Sequence, residues 1–228
     1  MPEEENIEYK RFILSLFPSA IIIIMIWLVK IIETSEGLDF SDFGIFPRRL
    51  NGLPGILLTP FIHSNFNHLI NNTVPFFLLL TSIFYFYHKV AWRVLLFSYV
   101  ITGILVWFVA RPAYHIGASG QVYSFAAFVF VSGIIRRNIN LLAISLLVIF
   151  LYGSMVWGIF PYQPDMSWES HLAGLTVGVV LAIIFRHEGP GPTITVIEQE
   201  DGEEEEEEET INSDMNSDRH PDKDDNIV

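Results

Sequence analysis

Apolar residues in this chain come in long unbroken blocks rather than in the short rhythms of soluble strands and helices, which restricts it to folds that a lipid bilayer can solvate. With 51% apolar residues and a positive mean hydropathy, a membrane class follows. Six blocks approach the roughly 20 residues that cross a hydrocarbon core: Phe12 to Ile32, Phe66 to Tyr87, Val90 to Ala110, Ser119 to Ile135, Ile139 to Phe160, and Trp168 to Phe185. The expected fold class is an all-α membrane protein, a six-transmembrane-helix bundle. The first block is too long for a secretory signal core and no small-residue cleavage pattern follows it, so it reads as a retained helix. Cysteine is absent, which excludes disulfides and thiolate metal sites, and no internal repeat is visible.

Charge sets an expected orientation and a domain boundary. With the N-terminus inside, the inner loops hold Lys10, Arg11, Lys89, Arg93, Arg136, Arg137 and Arg186, against Arg48, Arg49, Arg111 and the span-end Lys30 outside. That bias favours both termini on the cytoplasmic side. Residues 187–228 hold 16 Asp or Glu and 2 Lys or Arg, a net of −14, whereas residues 1–186 hold 10 and 11, a net of +1; together they make the −13 of the chain. The acidity belongs to the tail. Gly189-Pro190-Gly191-Pro192 marks the junction, and the run Glu203 to Glu209 repels itself and cannot build a core. The expected domains are a membrane body at 1–186 and a disordered acidic cytoplasmic tail at 187–228, solvated or docking a basic partner.

Polar groups inside the spans then stand out, because each is costly there. At the start of the second span His68 and Asn72 lie four apart and share one helical face. Helix-to-helix hydrogen bonding would explain them as well as chemistry would. The fourth span begins at Ser119, inside Gly117-Ala118-Ser119-Gly120, so its hydroxyl sits where free backbone N–H groups and the positive end of the helix dipole gather. From Ser119 to Arg136 the helix rises about 25 Å of a core about 30 Å thick, which puts Ser119 roughly 5 to 10 Å below the outer surface. Small residues here can also serve packing alone. A partner base changes the weighing. On the sixth span His171, Gly174 and Gly178 share a face, so the imidazole lies beside a groove that admits another helix closely. Tyr123, one turn after Ser119, can pack on that ring. A serine hydroxyl with a histidine base is the minimal acyl-transfer unit. No carboxylate completes a triad: Glu169 turns to the far side of the helix and Asp165 lies in the preceding loop, so a dyad is expected.

These residues resemble the rhomboid family of intramembrane serine proteases. The resemblance covers roughly residues 10–186 and rests on three motifs in order: His63, His68 and Asn72 at the second span, Gly117-x-Ser119-Gly120 with Tyr123 one turn on, and His171-x-x-Gly174-x-x-x-Gly178. It implies a catalytic dyad of Ser119 and His171, with His68, Asn72 and the Ser119 backbone N–H lining an oxyanion hole. His63 matches the family's upstream histidine, for which a structural or water-retaining role is implied. Where the family's first loop often carries a Trp-Arg pair, this chain has Pro47-Arg48-Arg49-Leu50.

The implied function is an intramembrane serine endopeptidase, with no cofactor and no metal, that cuts transmembrane protein substrates near the outer membrane face. A regular helix hides its carbonyls in internal hydrogen bonds, so substrates should carry helix-breaking or small residues near the cut. Other chemistries fit poorly. A membrane metalloprotease would want His-Glu-x-x-His, which is absent, and an aspartyl protease two intramembrane aspartates, of which the spans hold none. A transporter is disfavoured because the two halves share no similarity. The runner-up is a silent rhomboid-like protein that binds or escorts membrane clients; such relatives typically lack the serine or the histidine, and this chain keeps both. The compact six-span body points to the prokaryotic form and a prokaryotic plasma membrane, with the bilayer and membrane-protein substrates as partners and no nucleic acid.

Overall fold

The structure, a computed structural model, describes residues 3–152, 158–161 and 166–193. Among these the chain is helical: α1 Glu3–Ser35, α2 Phe66–Phe86, α3 Ala91–Val109, α4 Ser119–Arg136, α5 Ile139–Leu151 and α6 Trp168–Ile184. Residues 1–191 form one compact unit. Of the acidic tail expected at 187–228, residues 194–228, with the run Glu203 to Glu209 proposed to dock a basic partner, lie outside the described residues.

Four of the six apolar blocks become helices within about a residue of their expected bounds, because few polar groups interrupt them. Two differ. Helix α1 starts well before Phe12, and the reason is local: Glu5 and Glu8 lie near the positive end of its dipole, and Glu8 pairs with Arg11 three residues on at 2.8 Å. Helix α5 stops at Leu151 after 13 residues instead of reaching Phe160. Gly153, Gly158 and Pro161 follow it in the sequence, residues that do not prolong a helix.

Helices α1, α2 and α3 are long and apolar enough to cross a membrane, and α5 and α6 are shorter apolar helices of 13 and 17 residues. The chain is an integral membrane protein. Helix α4 carries more polar residues, among them Gln121, Ser124 and Ser132, and all three are buried. Its neighbours rather than lipid surround it, so it has no need of an apolar circumference. The hydroxyl of Ser98 on α3 donates to the side-chain Oε1 of Gln121 at 2.6 Å, which satisfies one of those groups inside the bundle.

The tightest pairing is between α4 and α6. A Cβ added to Gly174 would collide with the Gly120 carbonyl oxygen, and one added to Gly178 with that of Ser124. The two backbones therefore touch, as small residues allow between membrane helices. Between α1 and α2 the chain runs through single helical turns at Ser41–Phe43, Leu50–Gly52, Gly55–Leu58 and Thr59–Phe61. An isolated antiparallel bridge between Ile45 and His115 ties this stretch to the loop before α4. Its backbone bonds are Ile45 N to His115 O at 3.0 Å and the reverse at 2.9 Å.

Candidate active site

Ser119 is the first residue of α4, and two hydrogen bonds hold the turn before it. The Gly117 N–H donates to the Thr59 carbonyl at 3.0 Å, and the Ala118 N–H to Nε2 of His63 at 3.4 Å. Gly117 itself adopts φ +106°, and a Cβ there would meet Cε1 and Nε2 of His68 at 2.7 and 2.8 Å. Only glycine serves both needs: the backbone is left-handed and the His68 ring occupies the space of a side chain. The first N–H groups of α4 lack intrahelical partners by helix geometry, so donors collect beside the Ser119 hydroxyl.

His171 reaches this point from α6. Its Nε2 lies 2.8 Å from Ser119 Oγ, and its Nδ1 lies 2.7 Å from the carbonyl oxygen of Gly158. A carbonyl only accepts, so Nδ1 carries the proton of the neutral ring and Nε2 presents a lone pair to the serine hydroxyl. That is the tautomer a general base requires. The ring stacks on Tyr123, with centroids 4.2 Å apart and planes 10° from parallel. Imidazole orientation is thus held by a hydrogen bond at one edge and an aromatic face.

The opposite wall comes from α2. His68 and Asn72 line the same cavity of about 570 Å³ as Ser119, Tyr123 and His171. Ser64 Oγ lies 3.3 Å from Nδ1 of His68, and as donor it would leave Nε2 with the hydrogen that can face an oxyanion. Asn72 donates one amide hydrogen to the His68 carbonyl at 3.0 Å, a bond within its own helix, and its second amide hydrogen remains for another acceptor. His63 is absent from the cavity lining and almost fully buried behind it, 1% exposed, edge-on to the His68 ring at 5.0 Å. Burial pushes its pKa down to about 3, so it stays neutral and serves as an acceptor for the turn before Ser119. Gly120, Gly174 and Gly178 form the α4–α6 contact that sets the Ser119–His171 distance.

Glu169 points away from His171, toward Arg111: Oε1 is 3.6 Å from the Arg111 guanidinium and accepts the Arg111 backbone N–H at 3.4 Å. Asp165 lies outside the described residues. The group that orients His171 is a backbone carbonyl, which no side-chain pattern announces. A second feature the motifs miss is His115, whose Nδ1 lies 2.6 Å from Ser167 Oγ and whose Nε2 lies 3.0 Å from the Arg111 carbonyl. Ser167 caps α6 by accepting from the Ser170 N–H at 3.4 Å, so His115 connects the loop before α4 to the start of the helix that carries His171. Burial lowers the pKa of this histidine as well.

Comparison with known proteins decides the family. The model of the Rhomboid domain matches residues 51–188. The chain belongs to the rhomboid family. Among the proteins it resembles is an uncharacterized protein of Mycobacterium tuberculosis, 30% identical over 174 residues that make up 70% of each chain. Another, from Mycobacterium leprae, is 28% identical over 198 residues, 80% of this chain and 76% of the relative. An uncharacterized protein of Mycobacterium bovis is 30% identical over 174 residues. In this rhomboid the matched region takes in α2 through α6, and with them Ser119, His171, His68 and Asn72.

Proposed function

We propose that this rhomboid is an intramembrane serine endopeptidase that cuts transmembrane segments of membrane proteins. The observation that carries the reading is the 2.8 Å approach of Ser119 Oγ to a His171 ring whose other nitrogen is committed to the Gly158 carbonyl. Ser119 attacks the peptide carbonyl while its proton passes to His171 Nε2. The oxyanion is held by the Ser119 N–H at the start of α4, by His68 and by the free amide hydrogen of Asn72. Collapse breaks the C–N bond as His171 returns its proton to the leaving amine. A water molecule, deprotonated by the same nitrogen, then releases the acyl group and regenerates the serine.

The charge bias of the loops supports a topology with both termini cytoplasmic, which puts Ser119 and its cavity toward the outer face of a prokaryotic plasma membrane. Substrates are transmembrane helices that unwind readily near that face, since a regular helix keeps its carbonyls in internal hydrogen bonds. The acidic run Glu203 to Glu209 supports a docking role toward a basic partner on the cytoplasmic side. A fluorophosphonate probe tests the enzyme directly. Labelling that requires both Ser119 and His171 is expected; client binding with no labelling would make the protein an escort instead.

A further inference from the structure

Helix α1 is apolar along its lipid-facing side, yet near its end it buries two charged residues, Lys30 and Glu33, 8% and 5% exposed. Charges in a membrane helix are costly, and these two are offset because the ammonium and both carboxylate oxygens have partners. The Lys30 ammonium donates to Glu33 Oε2 at 2.7 Å, to the His63 carbonyl at 2.8 Å and to the Ser64 carbonyl at 3.2 Å. The other carboxylate oxygen of Glu33 accepts the Phe40 N–H at 2.9 Å. An ammonium has three hydrogens, and all three are spoken for.

The carbonyls that Lys30 holds are not arbitrary. They belong to the two residues immediately before Asn65, whose side chain caps α2 by accepting the His68 N–H at 2.8 Å. Ser64 also places its hydroxyl 3.3 Å from His68 Nδ1, and His63 accepts from the Ala118 N–H next to Ser119. One ammonium thus pins the backbone that carries both the Ser64 hydroxyl beside the His68 ring and the His63 ring beneath the Ser119 turn. Through Glu33 the same pair also fixes Phe40, one residue before Ser41, which lines the cavity. We propose that Lys30, held by Glu33, is a positioning residue that fixes the His63–Ser64 carbonyls and so aims His68 at the oxyanion over Ser119.

This rests on the protease reading, so the test pairs catalysis with a measurement that does not need it. Removing Lys30 alone would strand a buried carboxylate and destabilise the fold, whereas removing both charges leaves an apolar pair that the bundle tolerates. The variant is therefore the double substitution Lys30→Met with Glu33→Met, in the full chain in detergent. Hydrogen exchange of residues 63–72 is expected to rise at least tenfold while α4 and α6 keep their protection. Cleavage of a transmembrane substrate is expected to lose at least tenfold in kcat with KM within twofold. In a His68→Ala background the same double substitution is expected to cost less than twofold further, because the residue through which it acts is gone. Unchanged exchange at 63–72, an unchanged kcat, or a full tenfold loss persisting without His68 would each overturn the proposal. A wild-type chain that neither cleaves nor labels at Ser119 would instead overturn the protease reading, and the exchange measurement would still decide whether Lys30 holds the segment.

Discussion

Ser119 and His171 are separated by 52 positions and meet at 2.8 Å, and each side chain around them has a separable task. His68 and Asn72 are proposed to stabilise charge that exists only in the transition state. Replacing either by Ala is expected to lower kcat by about 10²- to 10³-fold, the cost of removing one oxyanion donor, with little change in KM, as steady-state cleavage would measure. His63 is different, because it faces away from the cavity. Its pKa of about 3 lies below the unfolded value of about 6.5, so between these values the unfolded chain binds more protons. The contribution of His63 to stability is accordingly full above about pH 6.5 and is lost progressively as pH falls toward 3. Melting curves against pH should slope less in a His63→Leu variant than in the wild type. The residues themselves were legible because an imidazole, an amide or a hydroxyl in an apolar helix has to justify its cost. The Gly158 carbonyl was not, since every residue has one. Lys30 and Glu33 could have been seen: opposite charges three apart at the end of an apolar block already suggest a pair.

At the scale of helices, the site depends on how closely α4 and α6 approach. Gly174 and Gly178 face backbone oxygens of α4 with no room for a methyl group. Gly174→Ala or Gly178→Ala is expected to destabilise the fold by about 1–3 kcal/mol and to lower activity through separation of Ser119 from His171. Thermal unfolding in detergent, with cleavage measured well below the transition, would separate the two effects. Those glycines were readable as a groove from their spacing, and so were most helix limits. The exceptions have local causes: charge pairing extends α1, and α5 gives way before Gly153 and Gly158. The single turns between α1 and α2 were not readable. Their order comes from distant partners, such as the Ile45–His115 bridge and the Phe40 bond to Glu33, and periodicity carries no trace of these.

As a whole molecule this rhomboid joins a nearly neutral membrane body to a strongly acidic tail, with net charges of +1 and −14 on either side of residue 186. If the tail docks a basic partner, deleting residues 194–228 should leave hydrolysis in detergent unchanged but alter cleavage in cells beyond any change in expression. Equal cleavage in cells would remove the docking role. The central claim is that Ser119 and His171 perform peptide hydrolysis within the membrane. The most direct measurement is cleavage of a transmembrane substrate by the purified full chain in liposomes, beside Ser119→Ala and His171→Ala variants shown to be folded. Cleavage by the wild type and none above background by either variant is expected. Hydrolysis that persists in folded Ser119→Ala would contradict it.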